Sequence, residues 1–239
     1  MTDRSVEVWT VRLDPSDHDV AALEKLLEPG EIARANRFVF EHLRRTWITA
    51  RAALRILLGT YLGVPGESIR LKTEPKGKPA LDIRGELLRF NLSHSGEVAL
   101  FGFTRACEIG VDVEQARPMD DMGSIAERFF HPEEARELLA LPVSEREAAF
   151  FRCWTRKEAY LKAIGEGFFE PLESFRVSFL PGEPAGILRI RGDANAARAW
   201  TVHDVESVPG HAAALVYRDA PRPVRLLPRI SPDKLLQLI

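Results

Sequence analysis

Two carboxylates one residue apart form the most chemically informative pattern in the sequence, Asp112-Val113-Glu114. Side chains alternate faces along a strand, so a strand here would carry Asp112 and Glu114 on one face and Val113 on the other. Proteins usually bind Mg²⁺ through one or two carboxylates, with substrate phosphates and water as the remaining ligands. The tripeptide fits a magnesium site, and it also fits a strand face that carries two solvated acids.

Three residues with helical spacing form a second pattern. Trp154, Glu158 and Lys162 follow one another at intervals of four residues, so they would lie along one side of a helix. Arg156 and Lys157 add positive charge nearby. The pattern fits a charged face turned toward a site, and it also fits an ordinary surface Glu–Lys pair with Trp154 in the core.

Three further segments carry groups that suit a phosphate. The run from Asn91 to Ser95 offers side-chain donors at a predicted hairpin turn, and Gly77-Lys78-Pro79 holds a lysine in a stiff loop. The stretch 31–55 contains six arginines against two glutamates, and such a local basic cluster suggests a partner of polyphosphate size. A tight turn, a solvated lysine and an amphipathic helix surface would explain the same segments without a ligand.

Strands and helices must bring these groups together. Alternation and turn residues predict strands over 6–13, 90–93, 98–103 and 109–114, followed by a meander over 175–179, 187–190, 200–205 and 212–217. Helical spacing predicts a long helix over 42–62 that ends at Gly63, and a second over 144–164 that begins with a capping box at Ser144 and ends at Gly165. Short helices are predicted over 20–27 and from Pro132, and the segment 69–89 is predicted to be a loop.

The order strand, helix, hairpin is followed by strand, helix, strands, which predicts an α+β fold with two similar halves. The expected units are an N-terminal half over 1–108, a C-terminal half over 109–220 and a proline-rich tail over 221–239.

Composition narrows the classes of protein. The chain has 239 residues, a formal net charge of −2, 45 % hydrophobic and 28 % charged residues, which is ordinary for a globular protein and argues against non-specific nucleic-acid binding. Two cysteines, Cys107 and Cys153, make no disulfide framework and are expected to be buried, inert thiols. No stretch reaches the ~20 apolar residues of a membrane helix, and the N-terminus has no apolar signal core. We therefore expect a cytoplasmic protein without a membrane partner.

Taken together and in order, these motifs carry a resemblance. Gly77-Lys78-Pro79, Asn91 to Ser95, Gly110 to Glu114, Phe129-Phe130 and the run Trp154-x-x-Lys157-Glu158-Ala159-x-x-Lys162 resemble those of the 4′-phosphopantetheinyl transferases. The match is to the long, two-halved type, the surfactin-synthetase-activator type, which serves natural product biosynthesis. It runs from about residue 34 to residue 179, and the last two motifs are its most specific part.

The resemblance implies a fold and an activity. The two halves would be related by a pseudo-twofold axis, each with an antiparallel sheet packed on a long helix, and the active site would lie in the cleft between them. The activity would be transfer of the phosphopantetheine arm of coenzyme A to a serine of an apo carrier protein, with release of adenosine 3′,5′-bisphosphate. The carrier would belong to a fatty-acid, polyketide or nonribosomal peptide synthase, the cofactor would be Mg²⁺ with Mn²⁺ as a substitute, and the enzyme would be a monomer.

The resemblance also implies roles for individual residues. Asp112, Glu114 and Glu158 would surround the metal, and Glu158, Lys162 and Asp112 would be the catalytic residues. Coenzyme A would be bound by Arg34, Arg37, Arg45, Thr46, Lys78, Ser93, His94 and Lys162. Glu158 or a metal-bound water would accept the serine proton, and Lys157 would be structural. Met119, Met122, Phe129 and Phe130 are expected contacts for the carrier.

Two competing classes remain. A different Mg²⁺-dependent phosphoryl-transfer enzyme would be expected to carry a Walker-type glycine-rich loop, and the sequence has none. A catalytically idle protein of the same fold that binds coenzyme A or a carrier would be expected to have lost Asp112, Glu158 or Lys162, and all three are present. One departure from some relatives is Gln115 in place of a lysine.

Overall fold

Two helices of 22 residues each, α3 (Glu41–Leu62) and α6 (Val143–Ile164), support the two main sheets. Both end at a glycine in the left-handed conformation, Gly63 at φ 68° and Gly165 at φ 71°, as the sequence predicts. The capping box at Ser144 is wrong: α6 begins one residue earlier, with Pro142 as its N-cap and no side-chain hydrogen bond to the cap.

The computed structural model describes residues 5–75, 77–83, 88–165, 170–205 and 208–238. Within these residues the remaining helices are α1 (Asp17–Glu24), α2 (Pro29–Ala35), α4 (Met122–Phe129), α5 (Pro132–Ala140), α7 (Ala194–Ala197) and α8 (Pro232–Leu235). The strands of the described residues are β1 (Val6–Arg12), β2 (Leu71–Thr73), β3 (Pro79–Leu81), β4 (Arg89–Ser95), β5 (Val98–Thr104), β6 (Ile109–Gln115), β7 (Phe175–Val177), β8 (Ile187–Ile190), β9 (Thr201–Asp204), β10 (His211–Tyr217) and β11 (Val224–Leu226).

The first sheet has the strand order β11-β1-β5-β4, and the second has the order β6-β10-β9. In each half the chain forms a strand (β1 or β6), a long helix (α3 or α6) and then two antiparallel strands (β4 and β5, or β9 and β10). The later strand of each pair, β5 or β10, lies in the middle of its sheet beside β1 or β6. The predicted α+β class with two similar halves is therefore confirmed. Only the first sheet gains an extra strand, because β11 from the tail pairs with β1 in parallel.

Apolar side chains divide the molecule into layers. One face of the first sheet packs on α1 and α3, and its other face meets the second sheet through residues such as Val8, Leu100 and Val111. The far face of the second sheet packs on α6 through Ala214 and Val216. In this order of layers, helix, sheet, sheet, helix, strand β4 of the first half lies beside strand β6 of the second. The amide of Val111 on β6 donates a hydrogen bond to Asn91 Oδ1 on β4 at 2.9 Å.

Several local predictions are wrong. Segment 69–89 is not all loop, since β2 and β3 form a small antiparallel hairpin. The predicted meander is divided: β7 and β8 pair only with each other, whereas β9 and β10 join β6. Cys107 is half-buried rather than buried, while Cys153 is fully buried as expected. In the described part of the chain, no helix is both long enough and apolar enough to span a bilayer.

Candidate active site

The site begins where α6 crosses β6 in close backbone contact. A Cβ atom on Gly110 would lie 2.0 Å from the carbonyl oxygen of Ala159 and 2.5 Å from the amide nitrogen of Ala163, so no other residue fits there without moving the helix. Gly110, Asp112 and Glu114 share one face of β6. The missing side chain lets α6 carry Glu158 and Lys162 up to the two carboxylates.

Asp112 is the centre of the polar contacts. Its Oδ1 accepts hydrogen bonds from Lys162 Nζ at 2.6 Å and from Ser93 Oγ at 2.8 Å, and Lys162 Nζ also donates to Ser93 Oγ at 2.7 Å. Its second oxygen, Oδ2, is buried and accepts no hydrogen bond from the described residues. Asp112 is only 2 % exposed, so the alternative of a strand face with two solvated acids is wrong for Asp112. Burial raises the pKa of Asp112, although Lys162 and Ser93 oppose the shift.

Glu114 and Glu158 complete an acidic cluster with Asp112. Ser95 Oγ donates to Glu114 Oε2 at 2.8 Å, and burial raises the pKa of Glu114. Burial, together with the negative charges of Asp112 and Glu114, raises the pKa of Glu158 to about 7, although Lys162 opposes the shift. The three carboxylates repel one another, with the Lys162 ammonium as the nearby compensating charge.

The acidic cluster has the chemistry of a Mg²⁺ site. Asp112 Oδ2 is a buried oxygen to which no described residue donates a hydrogen bond, and a hard cation would relieve the repulsion that raises the pKa of Glu158. Within the described residues no three acidic, histidine or cysteine side chains already form a closed ligand cage. Mg²⁺ does not need one, because it commonly takes one or two carboxylates and fills its other positions with phosphates and water. The residues therefore fit a metal that arrives with a phosphorylated ligand.

A cavity of about 800 Å³ adjoins the acidic cluster and spans both halves. Apart from Glu31, its polar lining consists of cations and hydrogen-bond donors, namely Arg34, Arg51, Thr73, Lys78, Asn91, Ser93, His94 and Lys162. We call this cavity the cationic cleft. Its charge suits an extended anion such as a molecule with several phosphates.

Five of the predicted coenzyme-binding residues lie along the cationic cleft: Arg34, Lys78, Ser93, His94 and Lys162. Arg37, Arg45 and Thr46 do not line it. Arg45 instead pairs with Asp17 and with the carbonyl of Pro15. The structure thus divides the arginine-rich stretch between the cleft and the outer surface, which the sequence pattern could not do.

Lys78 makes a structural contact within the cleft. Its ammonium donates to the carbonyl oxygens of Lys162 at 2.8 Å and Ile109 at 3.2 Å, so it ties the β2–β3 hairpin to the end of α6 and the start of β6. Burial lowers the pKa of Lys78. His94 has part of its side chain open to solvent at the cleft. The protein that surrounds the rest of the imidazole, together with the charge of Lys162, lowers the pKa of His94.

Sequence reasoning missed two charged residues of the cleft, Glu31 and Arg51. Both belong to the arginine-rich stretch, but α2, which carries Glu31, was not predicted at all. Ala50 and Arg51 lie three and four residues after Trp47 on α3, and all three line the cleft. This spacing along α3 was the one available signal.

A smaller cavity of about 410 Å³ lies on the Glu114 side of the acidic cluster. Half of its lining is apolar or aromatic, from Met119, Ile125, Phe150, Phe151 and Trp154, and the other half comes from Ser95, Gly96, Glu114, Gln115 and Arg117. Of the predicted carrier contacts, Met119 lines this cavity and Phe129 is 41 % exposed. Phe130 is wrong as a surface contact, because it is 2 % exposed and stacks on Phe150.

Lys157, next to Glu158, is structural as predicted. Its ammonium lies 2.7 Å from Glu134 Oε2 and donates to the carbonyls of Leu172 and Phe175. Both charged side chains of this pair are 0 % exposed. Neighbouring residues of α6 thus have separate tasks.

Comparisons with known proteins identify the family of the chain. Residues 108–216 match the family model described as 4′-phosphopantetheinyl transferase superfamily, and residues 11–103 match the one described as 4′-phosphopantetheinyl transferase, N-terminal. The chain is 40 % identical over 206 residues to the 4′-phosphopantetheinyl transferase HetI of Nostoc sp., covering 85 % of this chain and 83 % of the relative. It is 32 % identical to the 4′-phosphopantetheinyl transferase psf-1 of Bacillus pumilus, covering 71 % of this chain and 73 % of the relative. It is 38 % identical to the 4′-phosphopantetheinyl transferase ffp of Bacillus subtilis, covering 68 % of this chain and 70 % of the relative. With an acidic cluster and a cationic cleft at the junction of its two halves, the chain belongs to the 4′-phosphopantetheinyl transferase superfamily.

Proposed function

We propose that this transferase moves the 4′-phosphopantetheine arm of coenzyme A to a serine of an apo carrier protein in a Mg²⁺-dependent reaction that releases adenosine 3′,5′-bisphosphate. One observation carries the proposal: the buried Asp112 carboxylate is bonded to Lys162 and Ser93, two residues that line the cationic cleft, and its second oxygen accepts no hydrogen bond from any described residue. A pyrophosphate seated in that cleft would meet the lysine and the acids together.

The reaction needs positioning and charge neutralisation more than covalent help from the protein, because its electrophile is a phosphorus of a pyrophosphate. Asp112, Glu114 and Glu158 would hold the Mg²⁺, with Mn²⁺ as a substitute, and the bound ion supplies positive charge that neutralises the pyrophosphate oxygens. Lys162 donates to the phosphate that leaves. The site for the nucleotide part of coenzyme A is formed by Ser93, His94, Arg34 and Lys78. A role in binding coenzyme A has no support from the positions of Arg37, Arg45 and Thr46.

Glu158 is the proposed base for the acceptor serine. Burial and the neighbouring carboxylates raise the pKa of Glu158 to about 7 in the metal-free protein, and a bound cation would lower it, so that the carboxylate would be ionised and able to accept a proton. In this role its carboxylate takes the proton from the serine hydroxyl as the oxygen attacks. The alternative is that Glu158 would only help to hold the metal and that water in the site would take the proton.

The carrier domain approaches from the Glu114 side. There the aromatic cavity around Phe151 and Trp154 adjoins the acidic cluster on the side away from the cationic cleft. Both halves of the cleft come from one chain, which supports a monomer, and coenzyme A with apo synthase domains as partners supports action in the cytoplasm. A catalytically idle binder is the competing function, and the intact acidic cluster disfavours it.

Mass spectrometry of apo carrier domains tests the proposal. Apo domains from fatty-acid, polyketide and nonribosomal peptide synthases are incubated with the protein, coenzyme A and Mg²⁺, and with EDTA as the control. A mass increase of one phosphopantetheine group is expected on at least one domain, and only with the metal. Binding of coenzyme A without a mass increase on any domain would support the idle binder instead.

A further inference from the structure

Polar side chains of β4 bridge the seam between the two halves of the molecule. Asn91 and Ser95 lie on one face of β4, because side chains alternate along a strand. Strands β4 and β6 belong to different sheets, and the hydrogen bonds across the seam come from these side chains. The amide of Val111 donates to Asn91, and the amide of Gln115 donates to Ser95. The two contacts fix the position of β4 along β6 and place Ser95 beside Glu114.

The hydroxyl of Ser95 has its single hydrogen directed at Glu114. A serine hydroxyl can accept hydrogen bonds through its lone pairs but donates only one. The amide of Gln115 donates to Ser95 Oγ at 3.1 Å, so this bond uses a lone pair of the oxygen and leaves the hydrogen for Glu114 Oε2, 2.8 Å away. In the described part of the chain, no other group donates to the Glu114 carboxylate. The backbone of β6 thus orients the donor that holds Glu114.

Glu114 has room to turn away from Asp112. Ser95, Glu114 and Arg117 all line the smaller cavity of about 410 Å³, and Glu114 is only partly buried. Its side chain has one more rotatable bond than that of Asp112, and the positive charge of Arg117 attracts its carboxylate. Of the two carboxylates on β6, Glu114 is therefore the one whose orientation depends most on a single hydrogen bond.

We propose that Ser95 is a positioning residue for the metal: its hydroxyl holds Glu114 Oε2 and keeps the carboxylate beside Asp112 and away from Arg117. The proposal rests on the proposed function, since it takes Glu114 as one of the residues that would hold Mg²⁺. Ser95 acts through Glu114 and is not itself a proposed ligand. Removal of a hydrogen-bond partner of a metal ligand commonly weakens metal binding by about tenfold to a hundredfold.

Binding of Mn²⁺ tests the proposal without turnover. Electron paramagnetic resonance measures free Mn²⁺ during titration of the protein with saturating coenzyme A and no carrier protein, and the titration gives the Kd of the metal. Ser95→Ala is expected to raise this Kd about tenfold or more. Ser95→Thr keeps a hydroxyl at the same position and is expected to remain within about threefold of the wild type.

Ser174→Ala is the matched control. Ser174 Oγ donates to Glu170 Oε1 at 2.6 Å, and Glu170 does not belong to the acidic cluster. The substitution therefore removes the same kind of hydrogen bond from a different carboxylate. It is expected to leave the Kd of Mn²⁺ within about twofold of the wild type.

A double-variant cycle shows whether the hydroxyl acts through Glu114. In a Glu114→Gln background, Ser95→Ala is expected to change the Kd of Mn²⁺ by less than about twofold, whereas in the wild-type background it changes the Kd about tenfold or more. If circular dichroism shows that Ser95→Ala folds poorly, Ser95→Cys takes its place, because a thiol is similar in size to a hydroxyl but is a weak donor. The same loss of affinity is expected for Ser95→Cys.

The outcomes separate this proposal from the proposed function. A wild type that binds no Mn²⁺ in the presence of coenzyme A would overturn the metal dependence and the role of Ser95 together. A wild type that binds Mn²⁺, with an unchanged Kd in Ser95→Ala and Ser95→Cys, would overturn the role of Ser95 only. Equal losses in Ser95→Ala and Ser95→Thr would also overturn that role, and so would full additivity with Glu114→Gln, because the hydroxyl would then not act through Glu114.

Discussion

Helix α6 contributes two lysines, five residues apart, to carboxylate–lysine pairs. The nitrogen–oxygen distances of the two pairs are similar, but their locations and their hydrogen bonding differ. Lys157 lies 2.7 Å from Glu134, and Lys162 lies 2.6 Å from Asp112. The first pair lies in the core of the C-terminal half, and the second lies at the junction with β4.

The Glu134–Lys157 pair is closed. Beyond its partner, Glu134 accepts from the amides of Val177 at 2.7 Å and His131 at 3.0 Å. Lys157 donates to two further carbonyls, and neither side chain is exposed. Every charge has partners within the protein, so the pair fastens α6 to α5 and to the segment before β7.

The Asp112–Lys162 pair is open. In the part of the chain that the structure describes, one buried oxygen of Asp112 has no hydrogen-bond partner, Lys162 is 28 % exposed to the cleft, and two more carboxylates lie nearby. A buried polar group without a partner costs roughly 1–3 kcal/mol or more. The contrast teaches that residues of one helix with similar chemistry divide between structure and function according to whether their hydrogen bonds are complete.

Moving the open pair apart should have the largest effect. A Gly110→Ala substitution brings Cβ within 2.0 Å of the Ala159 carbonyl, and that backbone atom cannot move without shifting α6. We expect a loss of more than about 5 kcal/mol in the free energy of unfolding, measured by urea denaturation. Gly123→Ala is the control, because its Cβ would meet only Leu139 at 3.4 Å; equal stability of the two variants would contradict the close packing.

Breaking the closed pair should cost about 3–5 kcal/mol of stability. Lys157→Met leaves the Glu134 carboxylate buried without its cation, and thermal unfolding measures the loss. The double variant Glu134→Gln/Lys157→Met removes both charges and should recover part of it. A Lys157→Met protein as stable as the wild type would show that the pair does not support the fold.

Removing the charge of the open pair should affect transfer far more than folding. Asp112→Asn keeps the shape and the hydrogen-bonding capacity of the side chain but cannot neutralise a cation, so we expect transfer about a thousandfold slower. A coupled assay for product formation measures the rate. Circular dichroism is expected to remain unchanged, and full transfer activity at millimolar Mg²⁺ would contradict the metal-ligand role.

Glu158→Gln should have opposite effects on activity and on stability at the open pair. It is expected to slow transfer about a hundredfold while stabilising the protein. The folded-state pKa of Glu158 is about 7, above its ordinary value of 4.5. The contribution of this group to stability is therefore fully present below about pH 4.5 and is lost as the pH rises through 7. At pH 7.5 without metal, the variant should be about 2 kcal/mol more stable than the wild type, allowing for partial exposure.

Thermal unfolding of both proteins between pH 4.5 and 7.5 measures this difference. The expected shift of the melting temperature at pH 7.5 is roughly 4–8 °C for a chain of this size. The difference should shrink at pH 4.5, where wild-type Glu158 is protonated. Parallel curves for the two proteins across this range would mean that Glu158 does not carry the raised pKa.

Much of the site could be predicted from the sequence because its geometry is local. Strand alternation places Asp112 and Glu114 on one face, and the interval of four residues places Glu158 and Lys162 on one side of α6. The closeness of strand and helix depends on Gly110, whose role appears only when the backbone of α6 lies against it.

Other features depend on distant partners. The burial of Asp112 results from Ser93 and Lys162, which lie far away in the chain. The orientation of Arg51 depends on Glu31 in a helix too short to recognise by its spacing. The strands of the β2–β3 hairpin contain only three residues each. The turn residues between them, such as Pro75 and Gly77, outweigh this short strand pattern, and the segment is therefore predicted to be a loop.

Strand β11 has a consequence for the order in which the protein folds during synthesis. It pairs with β1 from Val6↔Val224 to Val8↔Leu226, and Arg225 reaches Glu7 across 218 positions of the chain at 2.9 Å. Ribosomes add roughly 5–20 residues per second, so β1 waits roughly 10–40 seconds for this neighbour. Until then one edge of β1 shows unpaired backbone donors and acceptors that another strand can capture. The first sheet, whose strand β1 is synthesised first, is thus completed only when β11 has been synthesised. Correct folding of the nascent chain requires that no other strand pairs with this edge of β1 before then.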